Sequence, residues 1–422
     1  MINPDSENAP TPGTRSSKDD RRVLAIVFFT VFLDLIGFGI LIPIQPFFAK
    51  LLGASPTLVT WLGASFSLMQ FIFASFWGRL SDRVGRRPVM LGSILITIVG
   101  YTLFGMSSSL AMLFFARMLA GFGSANIGTA QAIIADSTTP ETRAKGMGLL
   151  GAAFGLGFIL GPALGGAFVP LGLSAPAYVA AVLCLVNFNF AYFMLPETRS
   201  AKVGTTLPTW RAQLRDGFEK LVAALNRSSL VRILAIYLLW TTGFSLMEQV
   251  MGLTVEAYFV PPTGLGNHAE LAAKMTAAVL FVVGVVATII QGGAIGPLTR
   301  RFGEKALFLV GACLVSLAFF AVPKVGALGQ YPLFVGLFGL VALGSGITHP
   351  SLASLLSQVA EPQERGGIMG LGQSLSALGR VLGPALAGPL FEIKVGLPFQ
   401  MGAVLLLIAA LVGTTLEVTK AK

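Results

Sequence analysis

Long apolar runs alternate along the chain with short clusters of charge, proline and glycine. A helix needs about 20 apolar residues to cross a bilayer. The clusters cut the sequence into twelve such runs, at 23–48, 57–77, 89–107, 110–134, 146–169, 175–195, 230–259, 271–297, 305–323, 331–359, 367–390 and 397–416. The pattern predicts an all-α membrane protein of twelve transmembrane helices. One stretch occurs twice: GFILGPALGG, Gly157 to Gly166, has a near copy in GRVLGPALAG, Gly379 to Gly388. The same displacement of 222 residues superposes Pro140 on Pro362, Arg143 on Arg365, Met147 on Met369 and Gly148 on Gly370. The runs therefore fall into two pseudo-symmetric halves of six.

Hydrophobic repeats of this kind are typical of secondary transporters, which hold substrate near the bilayer midplane between the halves. Composition agrees: 54% of the 422 residues are hydrophobic and 11% charged, against roughly 25% charged in soluble domains. Fifty glycines fit close helix packing in lipid, where small residues let backbones approach. Cys184 and Cys313 lie inside apolar runs without paired spacing and suggest neither disulfide framework nor metal site.

The net charge of +10 is decided by its placement. With an even number of spans both termini share a side. That side collects 23 of the Lys and Arg residues, whereas the other has only Lys50, Lys274, Lys324 and Lys394. This distribution places both termini in the cytoplasm and gives the charge to topology rather than to nucleic acid. The expected organisation is a disordered cytoplasmic tail at 1–22, a six-helix bundle at 23–195, a cytoplasmic linker at 196–229, a second bundle at 230–416 and a tail at 417–422. Within the linker, Leu214, Phe218, Leu221 and Leu225 recur at helical spacing among Arg215, Asp216, Glu219 and Lys220. The segment is either an amphipathic helix on the membrane surface or a solvated connector.

Three stretches carry a family resemblance. GRLSDRVGRRP, Gly78 to Pro88, resembles the loop signature of the major facilitator superfamily, with Gly78, Asp82, Arg83, Gly85, Arg86 and Arg87 in the expected places. Arg117 followed by Gly121 in RMLAGFGSA is similar to the family's second motif. Gly157, Gly161, Pro162, Gly165 and Gly166 resemble the signature of its antiporters. DLIGFGILIP, Asp34 to Pro43, adds a likeness to the drug and proton antiporters of the tetracycline and multidrug efflux branch. The second half has a worn loop copy, GPLTRRFGEK from Gly296, in which Arg300 replaces the counterpart of Asp82. The resemblance implies a cytoplasmic latch, with Asp82 at the start of span eleven and Arg86 near Asp136, stabilising the outward-open state. It also implies a part for Arg117 in proton coupling.

Asp34 lies about eleven residues into its span, roughly 16 Å at 1.5 Å per residue and thus near the middle of a core about 30 Å thick. Burial disfavours the charged form of a carboxyl, so such a group can take and release a proton as access alternates. The alternative is an acid permanently paired with Arg117 or Arg380. Arg117 aligns with Gly339 and Arg380 with Phe158 in the repeat, so each is private to one half. Arg380 can stabilise a carboxylate or attract an anionic group on a substrate. Glu248 lies past the middle of span seven and can face Asp34 across a cavity, carrying a proton, binding a cation or sitting hydrated at the mouth. Glu256 reads as a solvated face near the exit. The glycines of the antiporter stretch form either a generic packing groove or a leak-limiting contact between the halves. Gln70, Asn126, Gln131, Gln249, Gln291, His349 and Gln373 are polar groups within spans, equally suited to bridging helices or touching substrate, with His349 read as a core residue. Phe38, Phe66 and Phe244 are candidates for a lipophilic pocket.

No GxxxxGKS/T phosphate loop is present, so an ion gradient is the expected energy source and no cofactor is expected beyond the proton as coupling ion. The leading expectation is a monomeric exporter of lipophilic or cationic drugs in a cell inner membrane, with lipid, small molecule and proton as its partners. Metabolite, lipid or sugar transport on the same fold is the nearest alternative. A nontransporting receptor or scaffold is a further one, although a scaffold has no use for buried Asp34 and Arg117. Neither HExxH nor a paired nucleophile and base points to an enzyme.

Overall fold

The computed structural model describes residues 17–138, 140–198, 227–261, 268–359 and 365–416. Among them are twelve long helices: α1 (Ser17–Leu41), α2 (Pro56–Val84), α3 (Arg86–Gly105), α4 (Leu110–Asp136), α5 (Pro140–Phe168), α6 (Ala175–Met194), α7 (Ser228–Phe259), α8 (His268–Phe302), α9 (Glu304–Ala327), α10 (Tyr331–Val359), α11 (Arg365–Ile393) and α12 (Leu397–Thr414). Ten are long and apolar enough to cross a membrane. The other two, α5 and α11, carry the glycine-rich repeat and have 29 residues each, or about 44 Å at 1.5 Å per residue.

Each predicted run has its helix, with one correction. The first run does not continue to residue 48: α1 ends at Leu41, residues 42–44 form a turn, and a short helix follows at Gln45–Leu51. Pro43 supplies no backbone N–H to extend α1, and Pro46 is suited to the first turn of a new helix. Two further interruptions escaped the periodicity, a 3₁₀ turn at Ser124–Asn126 in α4 and a π turn at Ile290–Ala294 in α8. The linker segment expected to be amphipathic, together with most of both tails, lies outside the described residues.

The repeat is visible in the packing. In the first half α1 packs on α5 and α6, α3 on α4 and α6, and α2 on α4; in the second, α7 packs on α11 and α12, α9 on α10 and α12, and α8 on α10. The two halves meet where α2 lies against α11 and α5 against α8. Glycine permits these approaches. A Cβ on Gly161 would stand 2.6 Å from the Gly39 Cα of α1, and one on its copy Gly383 would stand 2.5 Å from the Ser245 Cβ of α7. One turn and a half further on, Gly166 and its copy Gly388 face the other half: a Cβ would come 2.6 Å from the Ala277 Cβ or 2.4 Å from the Thr57 Cα. The stretch packs within its own half and also touches the other half. Gly157, Gly161 and Gly165 pack α5 on α1, while Gly166 seals α5 to α8.

The halves are joined at the end remote from the termini, called here the far end. The Lys50 Nζ lies 2.6 Å from the Glu256 Oε1, the Thr57 N–H donates to the Glu392 Oε1 at 3.0 Å, and the Trp61 Nε1–H donates to the Ala385 carbonyl at 3.2 Å. Towards the terminal end, α2 leaves Phe71, Ile72, Ala74, Ser75 and Phe76 exposed, and α8 leaves Gln291, Gly292, Gly293, Gly296 and Pro297 exposed. The crevice between the halves is closed at the far end and opens at the terminal end.

Candidate functional site: a charged cavity between the halves

The crevice narrows to a small open cavity between the halves, lined by polar, charged and aromatic side chains. The first half contributes Phe38, Phe66, Gln70 and Arg117 to its wall; the second contributes Ser245, Glu248, Gln249 and Arg380. Phe38 and Phe66 are stacked, with centroids 5.2 Å apart and planes at 28°. Phe244 does not join them: it stacks on Trp240 at 6.2 Å.

Arg117 is 4% exposed. Its guanidinium carbon lies 4.3 Å from the Phe66 centroid, a cation–π contact, and its Nε and Nη1 are sealed without a hydrogen-bond partner. Asp34 is partly buried, with its Oδ1 likewise sealed and unpartnered, and it is not in the cavity wall. Tyr101 stands within electrostatic reach of Asp34, Arg117 and Cys184. Gly37 makes room for this cluster, since a Cβ there would lie 3.1 Å from the Cys184 Sγ and 3.2 Å from the Tyr101 Cε2. The sequence alternative of a permanent Asp34 ion pair is absent among the described residues, and Glu248 does not face Asp34 across the cavity. Tyr101 was overlooked in the sequence, although a phenol within an apolar run is itself a signal.

Glu248 and Arg380 both reach the cavity from neighbouring helices, Glu248 partly buried and Arg380 exposed to it. They act on one another electrostatically but form no ion pair within 4 Å among the described residues. His349 is exposed rather than buried in the core, and its Nε2 accepts from the Trp240 Nε1–H at 3.3 Å. Gln249 lies against Gly63 of the other half. Gln70 donates to the Ser124 carbonyl at 3.3 Å, and buried Asn126 donates to the Ser93 Oγ at 2.7 Å, so Asn126 bridges helices. Gln131, Gln291 and Gln373 are exposed. Glu256 is not a solvated face: its side chain is 12% exposed and meets Lys50 and, at 3.3 Å, the His268 Nε2.

The loop from Gly78 forms a compact network. Gly85 adopts φ 109°, open to glycine at little cost, and a Cβ there would stand 2.5 Å from the Glu197 Oε2. That carboxylate caps α3, accepting from the Arg86 N–H at 2.9 Å and the Arg87 N–H at 3.1 Å. The Arg86 guanidinium reaches Asp82 at 2.8 Å, Asp136 at 3.0 Å and the Ser81 Oγ at 2.7 Å. Arg87 donates to the Tyr192 carbonyl at the end of α6. Arg83 closes the last turn of α2, and the Gly78 carbonyl accepts from Ser81 at 2.7 Å. The contact expected between Arg86 and Asp136 is present. Glu197 had no periodic or motif signal in the sequence.

Two repeated six-helix halves around a cavity at their interface define a transporter of the alternating-access type. A family model described as Major Facilitator Superfamily matches residues 27–384 and 268–421, and the chain belongs to that superfamily. It is 28% identical over 398 residues to multidrug resistance protein 2 of Bacillus subtilis, covering 93% of this chain and 95% of that one. With tetracycline resistance protein, class C, of Escherichia coli the identity is 30% over 401 residues, covering 91% and 94%. The crystal structure of the human organic anion transporter MFSD10 superposes with a TM-score of 0.68 at 26% identity, over 93% of this chain and 99% of that one.

Proposed function

We propose that this transporter exports lipophilic compounds, cationic drugs of the tetracycline and multidrug type among them, in exchange for protons. The observation that carries the reading is Asp34, a carboxyl held inside the first half with one oxygen sealed and no ion pair among the described residues. A group so placed gains little from staying charged and can cycle its proton. Arg117, within electrostatic reach of the same Tyr101, stabilises the carboxylate form when it is near and does so less as it withdraws. The multidrug and tetracycline relatives support the substrate class.

With the lysine-rich side assigned to the cytoplasm of a plasma membrane, the crevice described here faces inward. A compound enters it from the cytoplasm or inner leaflet while Asp34 yields its proton. The terminal end then closes through Asp82, Arg86 and Asp136 against the start of α11, and the far end parts. Asp34 is protonated from outside and the compound leaves. Each charge moved through 100 mV contributes about 2.3 kcal/mol, and a monomer contains all the groups this cycle requires.

Proteoliposomes containing pyranine test the scheme with tetraphenylphosphonium, ethidium and tetracycline added to wild type and Asp34→Asn. The expected result is compound-dependent proton movement that falls at least tenfold in the variant while compound binding stays within about threefold. Proton silence across the panel, with folded protein, would replace this reading by uniport of a metabolite.

A further inference from the structure

The cavity wall divides its chemistry between the halves. The first half presents Phe38, backed by Phe66, which is stacked on it and 3% exposed; the second presents a guanidinium, Arg380, and a carboxylate, Glu248. We propose that the preferred cargo is an aromatic zwitterion, its ring system on Phe38, its anionic group on Arg380 and its cationic group on Glu248. This proposal rests on the export reading above and names the class of compound exported.

Three observations carry it. First, Glu248 and Arg380 are close enough to influence one another, yet among the described residues neither has an ion pair or a hydrogen bond. Opposite charges left apart at membrane depth are costly until each finds a partner, and a ligand carrying both charges supplies both. Second, the wall contains two guanidiniums, Arg117 and Arg380, against one carboxylate. A simple cation would satisfy Glu248 while meeting a net positive wall. Asp34 does not correct that balance because it is not in the wall, nor does Glu256, which is engaged with Lys50 at the far end. Third, the two guanidiniums differ in availability. Arg117 lies over Phe66 with two nitrogens sealed, whereas Arg380 is exposed to the cavity and has a free fork for a planar carboxylate.

The experiment uses four matched forms of one scaffold: ciprofloxacin, a zwitterion; its methyl ester, a cation; its N-acetyl derivative, an anion; and the N-acetyl methyl ester, which is neutral. Their Kd values are measured by isothermal titration on the full chain in nanodiscs. The zwitterion should bind about tenfold to a hundredfold more tightly than either singly charged form, the span of one charged hydrogen bond. Arg380→Gln should abolish its advantage over the ester, and Glu248→Gln its advantage over the N-acetyl form. Arg380→Lys should keep part of the first. Binding of the neutral form, which depends on the aromatic wall, should remain within about threefold in every variant and so reports that the site is folded.

Equal or tighter binding of the ester or the N-acetyl form by wild type overturns the proposal. So does a zwitterion preference that survives in Arg380→Gln, or failure of all four forms to bind folded wild type. Proton movement driven by tetraphenylphosphonium, which has no anionic group, separates the two readings. If it persists while the zwitterion preference is missing, only this proposal falls; if ethidium and tetracycline are proton-silent as well, the export reading falls with it.

Discussion

The two interhelical loops that repeat across the halves share a skeleton and differ in charge. Gly85 and Gly303 both precede a helix with positive φ, at 109° and 78°. Arg87 and Lys305 both reach back to the last carbonyls of the sixth helix of their half, Arg87 to Tyr192 and Lys305 to Thr414 and Leu416. A cation there meets the negative end of a helix dipole. Between these common points the loops part. Arg86 lies between Asp82 and Asp136, whereas its counterpart, Glu304, accepts a 3.1 Å hydrogen bond from Ser354, and Arg300 stands where Asp82 would. What both loops keep serves helix capping; what sets the first apart is a buried guanidinium shared by two partly exposed carboxylates, an arrangement suited to a contact made in one state and released in another.

The sharpest way to break the equivalence of the halves is through the glycines. Gly161→Leu drives a side chain into the Gly39 backbone within one half, where a Cβ alone would be at 2.6 Å. Backbone cannot yield as a flexible side chain does, so the expected outcome is loss of the monodisperse peak when detergent extracts are run on size exclusion. Gly388→Val meets Thr57 and Thr60 across the halves instead. Two bodies that already separate during transport can part there, so this variant should extract normally and fail to close its far end. Equal behaviour of the two variants would mean that the halves do not move as separate bodies.

The loop comparison predicts the next effect. Arg86→Ala removes the buried guanidinium that Asp82, Asp136 and Ser81 share and leaves two partly exposed carboxylates, which should cost about 2 kcal/mol, read as a lowered Tm in detergent. Lys305→Ala removes a cation from the Thr414 and Leu416 carbonyls at the end of α12 and should cost about 1 kcal/mol or less. Asp82→Asn weakens the 2.8 Å contact with Arg86 at a half-exposed carboxylate, so it should lower Tm by less than Arg86→Ala does while slowing transport. Transport and state populations that remain unchanged in Asp82→Asn would remove the latch from the mechanism.

How much of this was legible in the sequence follows from the range of each signal. Twelve helices could be read because membrane spans are long and apolar, and the repeat fixed which of them correspond. Arg86 with Asp136 and the wall residues Glu248 and Arg380 were visible as charges where charge is expensive. The break after Leu41 was written in Pro43 and Pro46, although the continuous apolar run obscured it. Pairings between distant segments left no trace: Glu197 on the start of α3, Tyr101 beside Asp34, and Lys50 on Glu256 join residues that no period links. The separation of Asp34 from the cavity wall was equally hidden, because depth along a helix is readable from residue count whereas direction around it depends on which neighbours pack there. The open end was hidden as well, since one sequence serves both states.

The smallest effect belongs to the far-end contact between the halves. Glu256→Gln removes the charge that meets Lys50 at 2.6 Å and His268 at 3.3 Å. The lysine is 39% exposed, so the loss should be about 1 kcal/mol or less, up to some fivefold in the ratio of closed to open far ends. Nitroxides at Leu51→Cys and Leu328→Cys, both strongly exposed and on opposite halves, can report it by pulsed electron resonance once exposed Cys313 is replaced by serine. A distance distribution broadened towards longer separations is the expected outcome. An unchanged distribution would assign far-end closure to the apolar glycine contacts, at which Gly166 and Gly388 make the halves alike, rather than to the ion pair, at which they differ.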